Sequence, residues 1–292
     1  MKPLDPEQLL HWPLPPVSQR YTERDVILYA LGLGAASGNP VPEPRRRLVY
    51  EGAAGGLAVL PTLAAVLATG PFWMQDPATG IDWQRLLHGE QRLQLHKPLP
   101  AAASVTSTQR VQALIDKGAG KGALMLLERQ LHDADSGELL ATIGSTVFLR
   151  GNGGFGGPSS GAPLAHALPE GRAPDLQHEH ATRPEQALLY RLSGDWNPLH
   201  VDPDVARAAG FDAPILHGMA SYGMAGCAVI AALCDDEPAR LKRLDVRFAS
   251  PMLPGETLLT EIWREGPGRA SFRARVTGRD RLILNNGYAE FD

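Results

Sequence analysis

The residues best equipped for chemistry lie in one short stretch, Leu192-Ser-Gly-Asp-Trp-Asn-Pro-Leu-His200. It brings Asp195, Asn197 and His200 close together along the chain. Pro198 fixes its own φ and pushes Asn197 away from α geometry, so the stretch reads as a shaped turn. A carboxylate, an amide and an imidazole pinned on one turn can converge on one small ligand. Downstream, Ala213 to Gly218 ends in His-Gly and runs into an apolar tract rich in Gly and Ala. This predicts a helix over 218–233, with its first free N–H groups near Gly218 and Met219.

Each of these residues also has a plainer reading. Gly-Asp-x-Asn-Pro is good turn chemistry in its own right. His200 alone reads as a surface or capping histidine. His217 suits a structural hydrogen bond at the helix start better than catalysis. No grouping of His, Cys and Asp has metal-ligand spacing, so no metal is expected.

The rest of the chain must position that turn. At 292 residues it has room for about two domains. A net charge of −4 and no dense basic run argue against a nucleic-acid partner. No apolar run is long enough to span a membrane, so no membrane partner is expected. Cys227 and Cys234 are seven apart in the predicted helix, too far for a disulfide, and read as reduced core thiols. The Pro-rich polar start and a C-terminus that is not Ser-Lys-Leu predict a cytoplasmic location.

Along the chain, Met1 to Pro16 reads as an extended arm, and Thr22 to Leu33 as a helix capped by Thr22. Leu48 to Glu51 reads as a short strand. Leu57 to Ala68 is almost wholly apolar and predicts a buried helix with Pro61 in its first turn. Arg92–Leu95, Ala103–Ile115, Gly122–Asp133 and Leu139–Leu149 run at strand length, the last two joined by a turn at Asp133–Gly137. Arg150 to Arg172 is rich in Gly and Pro and lacks a P-loop's Lys-Ser/Thr, so it reads as a linker. A second cycle follows. It has short helices over 184–192, with Thr182 as cap, and over 202–209. The helix over 218–233 comes next, then strands over 241–249, 257–264, 270–277 and 281–290.

The two halves resemble each other. Leu28-Tyr-Ala-Leu-Gly32 parallels Leu189-Tyr-Arg-Leu-Ser193, Val59-Leu-Pro-Thr62 parallels Ile215-Leu-His-Gly218, and Leu95-His-Lys-Pro98 parallels Phe248-Ala-Ser-Pro251. A long helix followed by about four antiparallel strands, repeated, predicts an α+β double hotdog. Each unit would wrap its antiparallel sheet around a long helix. The boundaries are 1–150 for a degenerate N-terminal hotdog, 151–181 for the linker and 182–292 for a catalytic hotdog. In the first half Gly34 replaces Asp195, Pro61 replaces His217 and nothing matches His200.

The signature Leu192 to His200 resembles that of the MaoC-like (R)-specific enoyl-CoA hydratases, or hydratase 2. Tyr21-Thr-Glu-Arg-Asp-Val-Ile-Leu-Tyr-Ala30, Leu87-His-Gly-Glu-Gln91, Asp116-Lys-Gly118 and Gly153-Gly-Phe-Gly-Gly157 are similar to the hydratase domain of peroxisomal multifunctional enzyme type 2. The resemblance implies a hydro-lyase that adds water to trans-2-enoyl-CoA, giving (3R)-3-hydroxyacyl-CoA. It implies Asp195 and His200 on the reacting water, Asn197 beside them and the Gly218 N–H on the thioester oxygen. It also implies acyl-CoA contacts at His88, Gly89, Lys117 and Phe248. Glu51, in a family-like Tyr-Glu tract, is expected to be a supporting carboxylate. No cofactor is implied, because CoA is part of the substrate. One double unit already completes the minimal pair and can pair again as a homodimer. A thioesterase or a non-catalytic acyl-CoA-binding protein on the same fold are the competing readings.

Overall fold

The computed structural model describes residues 3–38 and 40–292. Met1 and Lys2, where the expected arm begins, and Asn39 lie outside the described residues. In chain order the elements are α1 (Pro6–Leu10), β1 (Val17–Tyr21), α2 (Glu23–Leu33), β2 (Leu86–Leu95), β3 (Ala103–Asp116), β4 (Ala123–Asp133) and β5 (Leu139–Leu149). The second half contributes β6 (Leu176–Ala181), α3 (Gln186–Tyr190), α4 (Pro203–Ala208), α5 (Gly218–Leu233), β7 (Leu241–Phe248), β8 (Thr257–Arg264), β9 (Arg269–Val276) and β10 (Arg281–Phe291).

The strands form one 10-stranded antiparallel sheet in the order β1-β3-β4-β5-β2-β7-β10-β9-β8-β6. The halves meet where β2 pairs with β7. There Arg92 lies opposite Asp245, with Gln91 opposite Val246 and Leu93 opposite Leu244. The interval from Arg92 to Asp245 equals that from Leu95 to Phe248, two positions the internal repeat aligns. A residue that pairs with its own equivalent marks a pseudo-twofold axis. The repeat is therefore structural, and the double hotdog is present.

The core is built around α5. This helix is apolar on nearly every side, and it is buried along most of its length. Its glycines allow close approach. A Cβ on Gly223 would stand 2.6 Å from Leu33 of α2, and one on Gly226 would stand 3.0 Å from Thr62. The Tyr222 hydroxyl donates to the Leu244 carbonyl at 2.9 Å, fixing the helix against the central seam.

The first half departs from the expectation of a long helix in each unit. Leu57 to Ala68 forms only a short 3-10 turn, Pro61–Ala65. The backbone groups that a helix would pair are taken by side chains. Arg129 donates to the carbonyls of Ala64, Ala65 and Leu67. Gln19 accepts the N–H of Ala68, and Ser107 donates to its carbonyl. Ala68 ends the segment at φ 48°, in the left-handed region. An apolar run carries no periodicity that separates such a segment from a buried helix.

Smaller differences have local causes. The N-terminal arm contains α1, which Asp5 caps by accepting the N–H groups of Glu7 and Gln8. Instead of a strand over Leu48–Glu51 there is a 3-10 turn at Arg45–Leu48. Leu176–Ala181, inside the expected linker, is an edge strand paired to β8. Thr182 does not cap α3. Its hydroxyl donates to the Glu256 carbonyl and accepts the Gly255 N–H, tying β6 to the turn before β8.

Candidate active site

The turn after α3 braces itself. A 3-10 turn over Arg191–Ser193 leads into Gly194 at φ +120°, a conformation open to glycine. Asp195 Oδ1 then accepts the N–H of Asn197 at 3.1 Å. Asn197 Oδ1 accepts the N–H of Leu199 at 3.0 Å and so caps the turn Pro198–His200. The Asn197 side-chain oxygen is thus spent on the turn, and its backbone holds the carboxylate. Asp195 Oδ2 is left 4.0 Å from His200 Nε2.

His200 is buried, while the Asp195 side chain is about half exposed. His200 Nδ1 lies 2.8 Å from the Ile215 carbonyl. A carbonyl only accepts, so Nδ1 carries the proton, and in the neutral ring Nε2 presents a lone pair. His217 supports this arrangement from behind. Its Nε2 donates to the Asp195 carbonyl at 3.2 Å. Its ring stacks on His200 with centroids 3.6 Å apart and planes 25° apart, and it also meets Tyr190 at 5.0 Å. Burial first, and then the His200 ring, push the His217 pKa down to about 4. Its ring is therefore neutral at neutral pH. His217 takes the structural part expected of it at the start of α5.

Ligand atoms of Asp195, His200 and His217 lie within 4.8 Å of one another. The spacing along the chain hides this trio, because His217 arrives from another element. The two rings are stacked with planes 25° apart, so each free lone pair lies in its own ring plane, in one of two stacked layers. A metal would need both to meet it at about 2.1 Å. The arrangement fits a hydrogen-bonded stack better than a metal cage.

The start of α5 forms the facing wall. Gly218 is exposed, and as the first helical residue its N–H has no partner within the helix. A Cβ at Gly218 would touch the Phe248 ring at 3.4 Å. Phe248 in turn packs on His88, with ring centroids 4.7 Å apart. Gly89 sits at a register shift between β2 and β5, a bulge of the kind that re-aims neighbouring side chains. Gly218, Phe248, His88 and Gly89 are thus brought together.

Lys117 and Glu51 are not drawn into this group. Lys117 is exposed just beyond the end of β3 and makes no ion pair among the described residues. The glycine-rich tract near it is turned inward, because Asp116 accepts the N–H groups of Gly118, Gly154 and Gly156 at 2.7–2.8 Å. These N–H groups hold the linker against β3. Glu51 is exposed on the loop before the Pro61 turn, with no ion pair among the described residues.

A cavity of about 300 Å³ leads from Gly194 and Asp195 into the first half. Ala65, Val66, Leu127 and Ile143 give it apolar walls, and Met219 and His88 line it as well. The end of the non-helical segment, Ala65 and Val66, and Thr69 just after it form part of its wall. Sequence reasoning missed its polar lining, Gln91, Gln109, Arg129 and Ser145. One signal was available: Arg129 interrupts the otherwise apolar inward face of β4.

The scaffold is a double hotdog, and relatives named as hydratases and dehydratases make the protein a hydro-lyase. Residues 19–151 match the MFE-2 hydratase 2 N-terminal domain, and residues 166–286 match the MaoC like domain. The chain is 42% identical to 3-hydroxyacyl-thioester dehydratase Y of Mycobacterium tuberculosis, across 94% of each chain. It is 40% identical to the peroxisomal enoyl-CoA hydratase 2 of Arabidopsis thaliana, across 97% of this chain and 94% of that one. A MaoC-like dehydratase from Phytophthora capsici superposes with a TM-score of 0.87 at 32% identity, covering 99% of this chain and 98% of the other. The chain belongs to the MaoC-like hydratase 2 family.

Proposed function

We propose that the protein catalyses the reversible hydration of trans-2-enoyl-CoA to (3R)-3-hydroxyacyl-CoA. The observation that carries this reading is the 4.0 Å gap between Asp195 Oδ2 and His200 Nε2. Both atoms are acceptors. One water can donate a hydrogen to each at about 2.8 Å, leaving its own lone pair free to attack.

The water oxygen bonds to C3, and the π electrons of the C2–C3 double bond move toward the thioester oxygen. One proton of the water passes to the Asp195/His200 pair, and the other stays on the new hydroxyl. The developing enolate oxygen accepts the Gly218 N–H, with the α5 dipole behind it. One such donor contributes about 3 kcal/mol to the transition state. The pair then returns its proton to C2. Hydroxyl and hydrogen arrive from the same side, so addition is syn. In the reverse direction the pair removes the C2 proton and water leaves C3.

The first half serves this reaction by what it lacks. With no long helix there, the cavity beyond Asp195 accepts an acyl chain longer than four carbons. His88, Gly89 and Phe248 border the thioester, and Lys117 meets the CoA end.

Loss of enoyl-thioester absorbance with crotonyl-CoA and trans-2-decenoyl-CoA, followed beside free-thiol release, tests the reading. Hydration without thiol release, giving the (3R) product by chiral analysis, is the expected result. Thiol release without hydration would establish a thioesterase instead.

A further inference from the structure

The cavity beyond Asp195 is not lined as a plain hydrocarbon tail would require. Across the inward face of β2, β5, β4 and β3 stand Gln91, Ser145, Arg129 and Gln109, all lining it. Ser145 Oγ donates to Gln91 Oε1 at 3.0 Å, so that pair satisfies itself. Arg129 is different. It is 7% exposed, and among the described residues it has no carboxylate partner. Burial pushes its pKa down to about 10, and it stays charged at neutral pH.

The guanidinium carries five N–H donors. Three hydrogen bonds go to the carbonyls of Ala64, Ala65 and Leu67. Two donors are not engaged by these bonds. Gln109, its neighbour across β3, brings a side-chain amide to the same wall. A buried cation held only by carbonyl dipoles has uncompensated charge. A chain methyl placed beside it would strip its remaining solvation and give nothing back.

We infer that Arg129, with Gln109, is a specificity-determining group that recognises a carboxylate at the distal end of the acyl chain. The substrate class is the enoyl thioester of a dicarboxylic acid. Two strand spacings separate β2 from β4, which carries Arg129, roughly 9.5 Å. The chain must therefore be of medium length to bring its terminus to Arg129. The inference rests on the hydratase reading and deepens it.

The test compares trans-2-decenoyl-CoA with the same chain ending in a carboxylate. Wild-type kcat/KM is expected to favour the carboxylate by about tenfold, the scale of one charge-assisted hydrogen bond. R129M and Q109L should each reduce that ratio, R129M to one or below, and R129K should retain part of it. A wild-type ratio at or below one overturns the inference, as does an unchanged ratio in a folded R129M. The wild-type ratio and Q109L decide the matter even where R129M does not fold. Crotonyl-CoA separates the two claims. If it is hydrated while the tail preference is absent, only this inference fails. If no enoyl-CoA is hydrated, the hydratase reading fails, and this inference falls with it.

Discussion

His200 and His217 stack face to face, 3.6 Å between ring centroids, and each is anchored to a different backbone carbonyl. The Ile215 carbonyl fixes the His200 proton on Nδ1, and the Asp195 carbonyl fixes the His217 proton on Nε2. The stack thereby sets both the position and the tautomer of the imidazole that faces Asp195. His217 touches His200 by its ring and Asp195 by its backbone carbonyl; under the proposed hydratase reading it serves as a positioning residue.

Asp195→Asn and His200→Ala remove one acceptor each from the pair. Each should lower the hydration rate by roughly a hundred- to ten-thousandfold. Asp195 is half exposed, so Asp195→Asn should melt within a few degrees of wild type. Full rate in both variants would refute the role given to the pair.

The Gly218 N–H can be deleted without disturbing the helix. Gly218 is the first helical residue, and His217 before it has φ −57° and ψ 132°, values that a following proline favours. Gly218→Pro should cut kcat by about a hundred- to a thousandfold while circular dichroism stays helical. Gly218→Ala keeps the N–H and is the steric control, its Cβ meeting Phe248 at an ordinary contact distance. It should retain markedly more activity than the proline variant. Equal losses in the two would place the effect in sterics.

Acid should destabilise the fold through its buried histidines. Burial lowers the pKa of His217 and of His180 to about 4, from an ordinary 6.5. The folded state holds both rings neutral, so the unfolded chain takes up protons first as pH falls. Stability is fully present above about 6.5 and is lost progressively toward pH 4. Tm recorded across that range should fall. A flat profile would contradict the buried, neutral state of both rings.

Chain-length selection should respond to the segment that replaces the first-half helix. Val66 lines the cavity wall. Val66→Phe fills part of it and should lower the decenoyl-to-crotonyl ratio of kcat/KM by about tenfold or more, chiefly through KM for the longer chain. An unchanged ratio would mean that the acyl chain runs elsewhere.

The sequence by itself determined the elements whose chemistry is local. Pro198, Gly194 and the short polar side chains of Asp195 and Asn197 dictate a turn through bonds within a few residues, and that turn is present. The Gly/Ala-rich run sets α5, and the repeat that aligns Leu95 with Phe248 reappears in the structure as the symmetric pairing of Arg92 with Asp245. Only the tertiary structure decided the fate of Leu57–Ala68. An apolar segment has helix and non-helix solutions of similar hydrophobic value, and a distant arginine on β4 takes the carbonyls that a helix would use. Tertiary structure alone also brought His217 onto His200 and set Arg129 into the wall beyond Asp195. Stacking, tautomer and an unpaired buried charge depend on which strands and helices meet, and spacing along one chain does not encode that meeting.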